Sequence, residues 1–368
     1  MRVADGLEGV VASETVLSDV DGLAGRLIIR GHALAELAGR WRFEDVVALL
    51  WGGFFTALPG DLAPALGAAR VEVAGEVRAL DDALLALSPT EAMRALTARI
   101  ADGDDLATAL RLTAAPAVFT AAVLRRQAGE GPLAPDPGAS HAADILRLTR
   151  GGDASPAEAA ALDAYLVTIA DHGFNASTFA ARVVASTRAG LTSAVLAGIG
   201  ALKGPLHGGA PGPVIEMLDA IGEPGNARAW LEGALDRGER LMGFGHRVYK
   251  VRDPRADALK AAVKTLGEGS NALPGRLAFA EAVESAALAV LKARKPDRSL
   301  DVNVELYTAL MLEALAFPPS AFTCVFAMGR AAGWIAHARE QTLNGRLIRP
   351  ASRYVGPAPC LPSVGRVA

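Results

Sequence analysis

The run Ser155-Pro-Ala-Glu-Ala-Ala-Ala-Leu-Asp-Ala-Tyr-Leu-Val-Thr-Ile169 reads as a helix with its start signal complete. Ser155 stands at the N-cap, Pro156 at the first helical position and Glu158 at the third, where its side chain can return to the Ser155 N–H. Leu162, Tyr165, Leu166 and Ile169 then share one face at helical spacing. Working outward, Ser88-Pro89-Thr90-Glu91 repeats the same signal. Asp253-Pro254 opens another helix, followed by Leu259, Val263 and Leu266. Asn303 can cap a helix running to Leu315. Ser320 can cap a long one stopping at Asn344-Gly345, where glycine suits a left-handed exit. The chain is rich in alanine and only 5% aromatic, a composition that favours helix over strand. Strand signals are confined to the start: Val10–Val16 and Gly25–Arg30 flank the turn-rich Ser18-Asp-Val-Asp-Gly22 and predict a small hairpin. Gln127–Ser140 is Pro/Gly-rich and reads as a loop. The expected class is mostly all-α with a small N-terminal β-hairpin.

At 368 residues, 51% of them apolar, the chain suits about two domains with a large core. Thirty-seven basic residues against 40 acidic ones give a net charge of −3, which argues against a generic nucleic-acid binder. The two cysteines, Cys324 and Cys360, form no CxxC pair or disulfide framework, as expected in a reducing cytoplasm. The longest uncharged run, 314–329, is shorter than the ~18–20 residues of a membrane span and holds Pro318 and Pro319. The N-terminal acids do not fit a signal peptide. A cytoplasmic protein without membrane or nucleic-acid partners is expected.

Three of six histidines lie beside glycines at helix boundaries, where backbone bends bring side chains to a ligand: His172, His207 and His246. His141, at a helix start, and His337, inside a long helix, suit structural roles, and His32 suits the surface. No His-x-x-x-His pair or neighbouring carboxylate pair supports a metal site. Gly243-Phe-Gly245 lacks the rest of a dinucleotide fingerprint, and no Walker-A lysine or nucleophile elbow is present.

Six motifs in order, His172-Gly-Phe-Asn-Ala-Ser-Thr178, Gly204-Pro-Leu-His207-Gly-Gly-Ala210, Met242-Gly-Phe-Gly-His246-Arg-Val-Tyr-Lys250, Asp253-Pro-Arg255, Asn303-Val-Glu305 and Gly329-Arg330-Ala-Ala-Gly-Trp-Ile-Ala-His337, resemble the citrate synthases. Gly6–Ala12 and Gly25–Gly31 resemble the compact prokaryotic branch. The resemblance spans essentially the whole chain. It implies a homodimer of two-domain helical subunits: a large domain of 1–207 and 311–368, and a small one of 208–310 that closes over the substrates.

The resemblance also implies a reaction: acetyl-CoA condenses with oxaloacetate, and hydrolysis of the thioester yields citrate and CoA, with acetyl-CoA as co-substrate and no tightly bound cofactor. Such chemistry needs a base for a weakly acidic methyl, a donor to the enol oxygen and an acid at the ketone. By position Glu305 matches the base, ionised by the dipole of a helix start. His207 matches a neutral enol stabiliser near a helix starting about Pro213, and His246 the acid at the ketone. His172, Arg255 and Arg330 match the oxaloacetate binders, with Arg349 reaching in from the neighbouring subunit; planar guanidinium groups suit a dicarboxylate. From Ser320 onward Arg330, Arg339, Arg346, Arg349, Arg353 and Arg366 face only Glu340, which fits delivery of positive charge. Gly243, Gly245, Lys250 and Asn303 match the CoA-binding positions, although spacing alone makes the glycines a tight turn.

One residue departs from the pattern. The family usually has Asp where this chain has Glu305, and the extra methylene moves the carboxylate by about 1.5 Å. An error of about 1 Å can cost ~10²-fold in rate. With the other recognised positions intact, compensation by the helix start is expected. A 2-methylcitrate synthase using propionyl-CoA, and a non-catalytic homologue binding CoA or dicarboxylate, are the alternatives.

Overall fold

The capping signals at Ser88, Ser155, Asp253 and Asn303 are realised, and that at Ser320 is not, in the structure, a computed structural model that describes residues 4–7, 9–208, 211–246, 248–268, 273–298 and 300–357. Gly209, Ala210, Arg247, Cys360 and Arg366, used above, lie outside the described residues. Sixteen α-helices follow in order: α1 Leu34–Leu37, α2 Phe43–Trp51, α3 Ala63–Ala74, α4 Asp82–Leu85, α5 Pro89–Thr97, α6 Leu106–Gln127, α7 His141–Arg150, α8 Pro156–Ile169, α9 Ala176–Ala185, α10 Leu191–Leu202, α11 Pro211–Ile221, α12 Ala227–Asp236, α13 Pro254–Gly267, α14 Leu273–Arg294, α15 Val304–Ala314 and α16 Phe322–Asn344. Three short strands, β1 Ser18–Asp21, β2 Arg26–Ile29 and β3 His32–Ala33, form one antiparallel sheet in that order, with Ser18 opposite Ile29 and Asp21 opposite Arg26.

Helix α8 has the expected capping box: the Ser155 side chain accepts from the Glu158 N–H, and the Ser155 N–H donates to Glu158 Oε2 at 2.8 Å. Leu162, Tyr165, Leu166, Val167 and Ile169 are all fully buried, so the second half of α8 is enclosed on every side. Each such side chain contributes roughly 1.5–3 kcal/mol of burial. Helices α2, α7, α13, α15 and α16 pack around it. Against α16 the backbones come close: a Cβ on Gly333 would collide with the Ala170 carbonyl, so glycine is required there. This contact brings the face of α16 that carries Arg330 onto the end of α8.

The sheet differs from its prediction. Val10, Val11 and Val16 are 48%, 88% and 62% exposed and form no strand; β1 starts at Ser18, inside the expected turn, and the turn falls at 22–25. A strand needs a partner with matching register, and β2 pairs with the Ser18 segment. Gly345 is extended (φ −94°, ψ 175°) rather than left-handed. Helix α16 begins at Phe322 after a short 3₁₀ turn, and α11 begins at Pro211. The segment nearest to a membrane span is α6, not 314–329. It is long and apolar enough, but 83% of its apolar window is buried inside the protein, as in a core helix.

The sheet also fastens the later site. Ser18 Oγ donates to Asp171, and the Gly173 N–H donates to Ser18 Oγ at 3.0 Å. The Gly22 carbonyl accepts from the Lys250 N–H at 2.8 Å. The segments carrying His172 and His246 are thus both tied to one small sheet.

Candidate active site

His172, His246 and Arg255 come together around Tyr249. The rings of His172 and His246 lie 5.7 Å apart edge to face, and Tyr249 packs against both at 5.6 and 4.7 Å. His246 Nδ1 accepts the backbone N–H groups of Val248 (3.0 Å) and Tyr249 (2.9 Å). A nitrogen accepting two N–H bonds carries no proton, so in the neutral ring the proton sits on Nε2. Nε2 lies 3.2 Å from Arg255 Nη2. Two donors thus converge, an arrangement suited to an oxygen of a ligand.

Arg255 is held by a fork to Asp253: Nε to Oδ1 at 3.0 Å and Nη2 to Oδ2 at 2.8 Å. The same carboxylate accepts the N–H groups of Arg255 (3.0 Å) and Val304 (3.2 Å), so it joins the starts of α13 and α15. Burial opposes its ionisation, but Arg255 outweighs burial and holds the carboxyl below the usual range.

Glu305 sits in the first turn of α15, where Asn303 Oδ1 accepts its N–H at 3.0 Å. Asn303 Nδ2 donates to the Gly245 carbonyl at 2.9 Å. The Asn303 amide thus ties the Gly245 carbonyl to the backbone of Glu305. Gly243 and Gly245 both have φ of +81° and pair with 301–303: the Gly245 N–H donates to the Asp301 carbonyl (2.7 Å) and the Asn303 N–H to the Gly243 carbonyl (2.9 Å). The conformation needs glycine, and its visible product is the position of the Asn303–Glu305 corner. The Glu305 carboxyl does not behave as the dipole argument expects. Burial pushes it up to about 7, although Arg255, Arg240 and Asn303 pull the other way.

His207 Nε2 lies 2.8 Å from Ser177 Oγ, in the first turn of α9. The Trp334 indole donates to the same hydroxyl at 3.1 Å, and the hydroxyl donates to Asn175 Oδ1 at 2.8 Å. Burial pulls His207 and His246 down to about 4, and holds His172 well below the ordinary histidine value. All three rings are therefore neutral near pH 7.

Arg330 is buried on α16, with Nε donating to the Ile169 carbonyl at 2.5 Å. Its Nη2 is buried without a hydrogen-bond partner among the described residues. Burial lowers its pKa to about 10; Asp171 opposes this and Arg255 adds to it. Arg349 is exposed in the extended segment after α16 and makes no ion pair or side-chain hydrogen bond with the site. Lys250 joins the sheet through its backbone, with its side chain exposed. Among the described residues no cluster of three or more His, Cys, Asp or Glu side chains could hold a metal ion.

Sequence reading assigned no site role to Tyr249, Ser177 or Asp253. Signals existed: Tyr249 is three residues from His246, Ser177 follows the Asn175 cap, and Asp253 precedes the helix carrying Arg255. His141 and His337 are fully buried and paired with Arg70 and Arg182 respectively, in keeping with structural roles.

Neutral histidines, a carboxyl and buried guanidinium groups around one site suit acid–base chemistry on an anionic ligand, and the relatives make the protein an enzyme of the acyltransferase class. The model of the citrate synthase C-terminal domain matches residues 6–351, and the chain belongs to the citrate synthase family. The citrate synthase of Haloferax volcanii is 39% identical over 374 residues, covering 95% of this chain and 95% of the relative. The 2-methylcitrate synthase of Mycobacterium tuberculosis is 37% identical over 370 residues, covering 96% and 91%. Among solved structures, the citrate synthase of Thermoplasma acidophilum in a ternary complex with carboxymethyl coenzyme A and oxaloacetate is similar, with a TM-score of 0.85 at 27% identity, covering 99% of this chain and 100% of that one.

Proposed function

We propose that the site condenses acetyl-CoA with oxaloacetate and hydrolyses the thioester to citrate and CoA. The observation that carries this reading is a carboxyl poised near neutrality, Glu305, on a corner shared through Asp253 with Arg255 and neutral His246. A base with its pKa near the working pH is suited to abstracting the methyl proton. His207, a neutral ring held 2.8 Å from Ser177 Oγ through Nε2, meets the enol oxygen. His246 Nε2–H and Arg255 meet the ketone oxygen and a neighbouring carboxylate of oxaloacetate. Arg330, with a donor to spare, takes a carboxylate oxygen, and His172 completes the pocket. Arg349 reaches the site of a second subunit in a homodimer, and 208–310 closes over both substrates. Lys250 and the Gly243–Gly245 backbone face CoA.

Release of free CoA from acetyl-CoA and oxaloacetate tests the reading. Glu305→Gln is expected to lower kcat by about 10²–10⁴-fold with oxaloacetate binding retained. Substantial activity in that variant would displace Glu305 as the base. No thiol release from the native protein, with ligand binding intact, would leave a binding protein instead. The ratio of kcat/KM for acetyl-CoA and propionyl-CoA decides the acyl group, since one methylene is worth only about 1–3 kcal/mol.

A further inference from the structure

Tyr249 touches both histidines of the pocket, by two different groups. Its backbone N–H donates to His246 Nδ1 at 2.9 Å, and its hydroxyl lies 3.2 Å from His172 Nε2. The side chain is 1% exposed, with the Arg255 guanidinium 6.0 Å above its ring. Tyr249 therefore has little freedom to turn its hydroxyl elsewhere. Burial raises the phenol far above its ordinary value, so it keeps its proton. His172 Nε2 is the one acceptor that this proton meets among the described residues.

A neutral imidazole has a single N–H, and the hydrogen bond made by one nitrogen decides where that proton sits. We propose that Tyr249 is a positioning residue that donates its phenolic proton to His172 Nε2 and so holds the His172 proton on Nδ1, the nitrogen left to donate to the dicarboxylate. One residue then sets opposite tautomers in two adjacent rings: its N–H leaves the proton of His246 on Nε2, and its O–H leaves that of His172 on Nδ1. The pocket gains two fixed donors without a charged imidazole, and the Arg255 and Arg330 charges keep the electrostatic part of binding.

The proposal rests on the dicarboxylate reading above, but its first test needs no turnover. Nitrogen-15 NMR of histidine-labelled full-length protein is expected to show His172 as the Nδ1–H tautomer. In Tyr249→Phe, which keeps the ring and its packing, that population shifts toward Nε2–H. Loss of one buried hydrogen bond is expected to raise the KM for oxaloacetate about tenfold, with the KM for acetyl-CoA changed less than twofold. Introduced into His172→Asn, Tyr249→Phe should add no further loss, because it acts through the imidazole. An Nε2–H tautomer in the native protein, or an unchanged tautomer in Tyr249→Phe, would overturn the proposal. So would fully additive losses in the double variant. If the native protein releases no CoA, the dicarboxylate reading fails while the NMR result still decides the tautomer.

Discussion

Arg70 and Arg330 are both buried cations on core helices, and the protein treats them in opposite ways. Arg70, on α3, donates through Nε to Asp144 (2.7 Å) and through Nη2 to the carbonyls of Asp136 (2.9 Å) and Ala139 (2.8 Å). Its Nη1 meets His141 Nδ1 at 3.3 Å, and burial with the Arg70 charge keeps that imidazole neutral. Arg330 has one carbonyl, no fork to a carboxylate, and an orphaned Nη2. A guanidinium offers five N–H donors, so the difference lies in what surrounds it. Where four of the five donors are used, the cation fixes a loop to a helix. Where a donor is left over inside the protein, the fold carries an electrostatic cost.

That contrast predicts different losses for the same substitution. Arg70→Met leaves Asp144 in the core with only Arg147 and the Asp136 N–H, and leaves two loop carbonyls unpaired. It should cost about 3–5 kcal/mol of unfolding free energy in urea titrations, with the kcat/KM of the remaining folded protein nearly unchanged. Arg330→Met removes an under-paired cation. Its stability should stay within about 1 kcal/mol of native or rise, while kcat/KM for oxaloacetate falls about 10²-fold. Equal stability losses in the two variants would break the comparison.

The sequence made much of this legible because the decisive signals are local. Ser88, Ser155, Asp253 and Asn303 all cap the helices they announce, since a cap needs only its own next turn. The first strand was misplaced because β-propensity in Val10–Val16 says nothing about a partner, and pairing falls to Ser18–Asp21. Asp253 is legible as a cap and illegible as the clamp on Arg255, because the second role depends on the meeting of α13 and α15. The same holds for Glu305. Its place at a helix start argues for an ionised carboxylate, but enclosure by distant segments decides the outcome.

Glu305 carries the comparison into pH. Its pKa is raised from 4.5 to about 7, so the folded state binds its proton more tightly than the unfolded chain does. Its contribution to stability is therefore fully present below about 4.5 and is lost as pH rises through about 7. Glu305→Gln cannot ionise. It should equal the native protein in stability at low pH and exceed it above pH 7, a gain read as the difference between two urea midpoints measured across pH. Activity runs in the opposite sense. The base must be ionised, so kcat/KM should rise about tenfold per pH unit up to about 7 and level off above it. Buried neutral histidines lose stability as pH falls through about 4, which is why the profile is to be read between pH 5.5 and 8.5 on protein shown to stay folded, roughly a window in which His207 and His246 remain uncharged. A flat rate profile across that window, or a Glu305→Gln variant no more stable than native at pH 8, would place Glu305 with Arg70 among the groups that hold the fold.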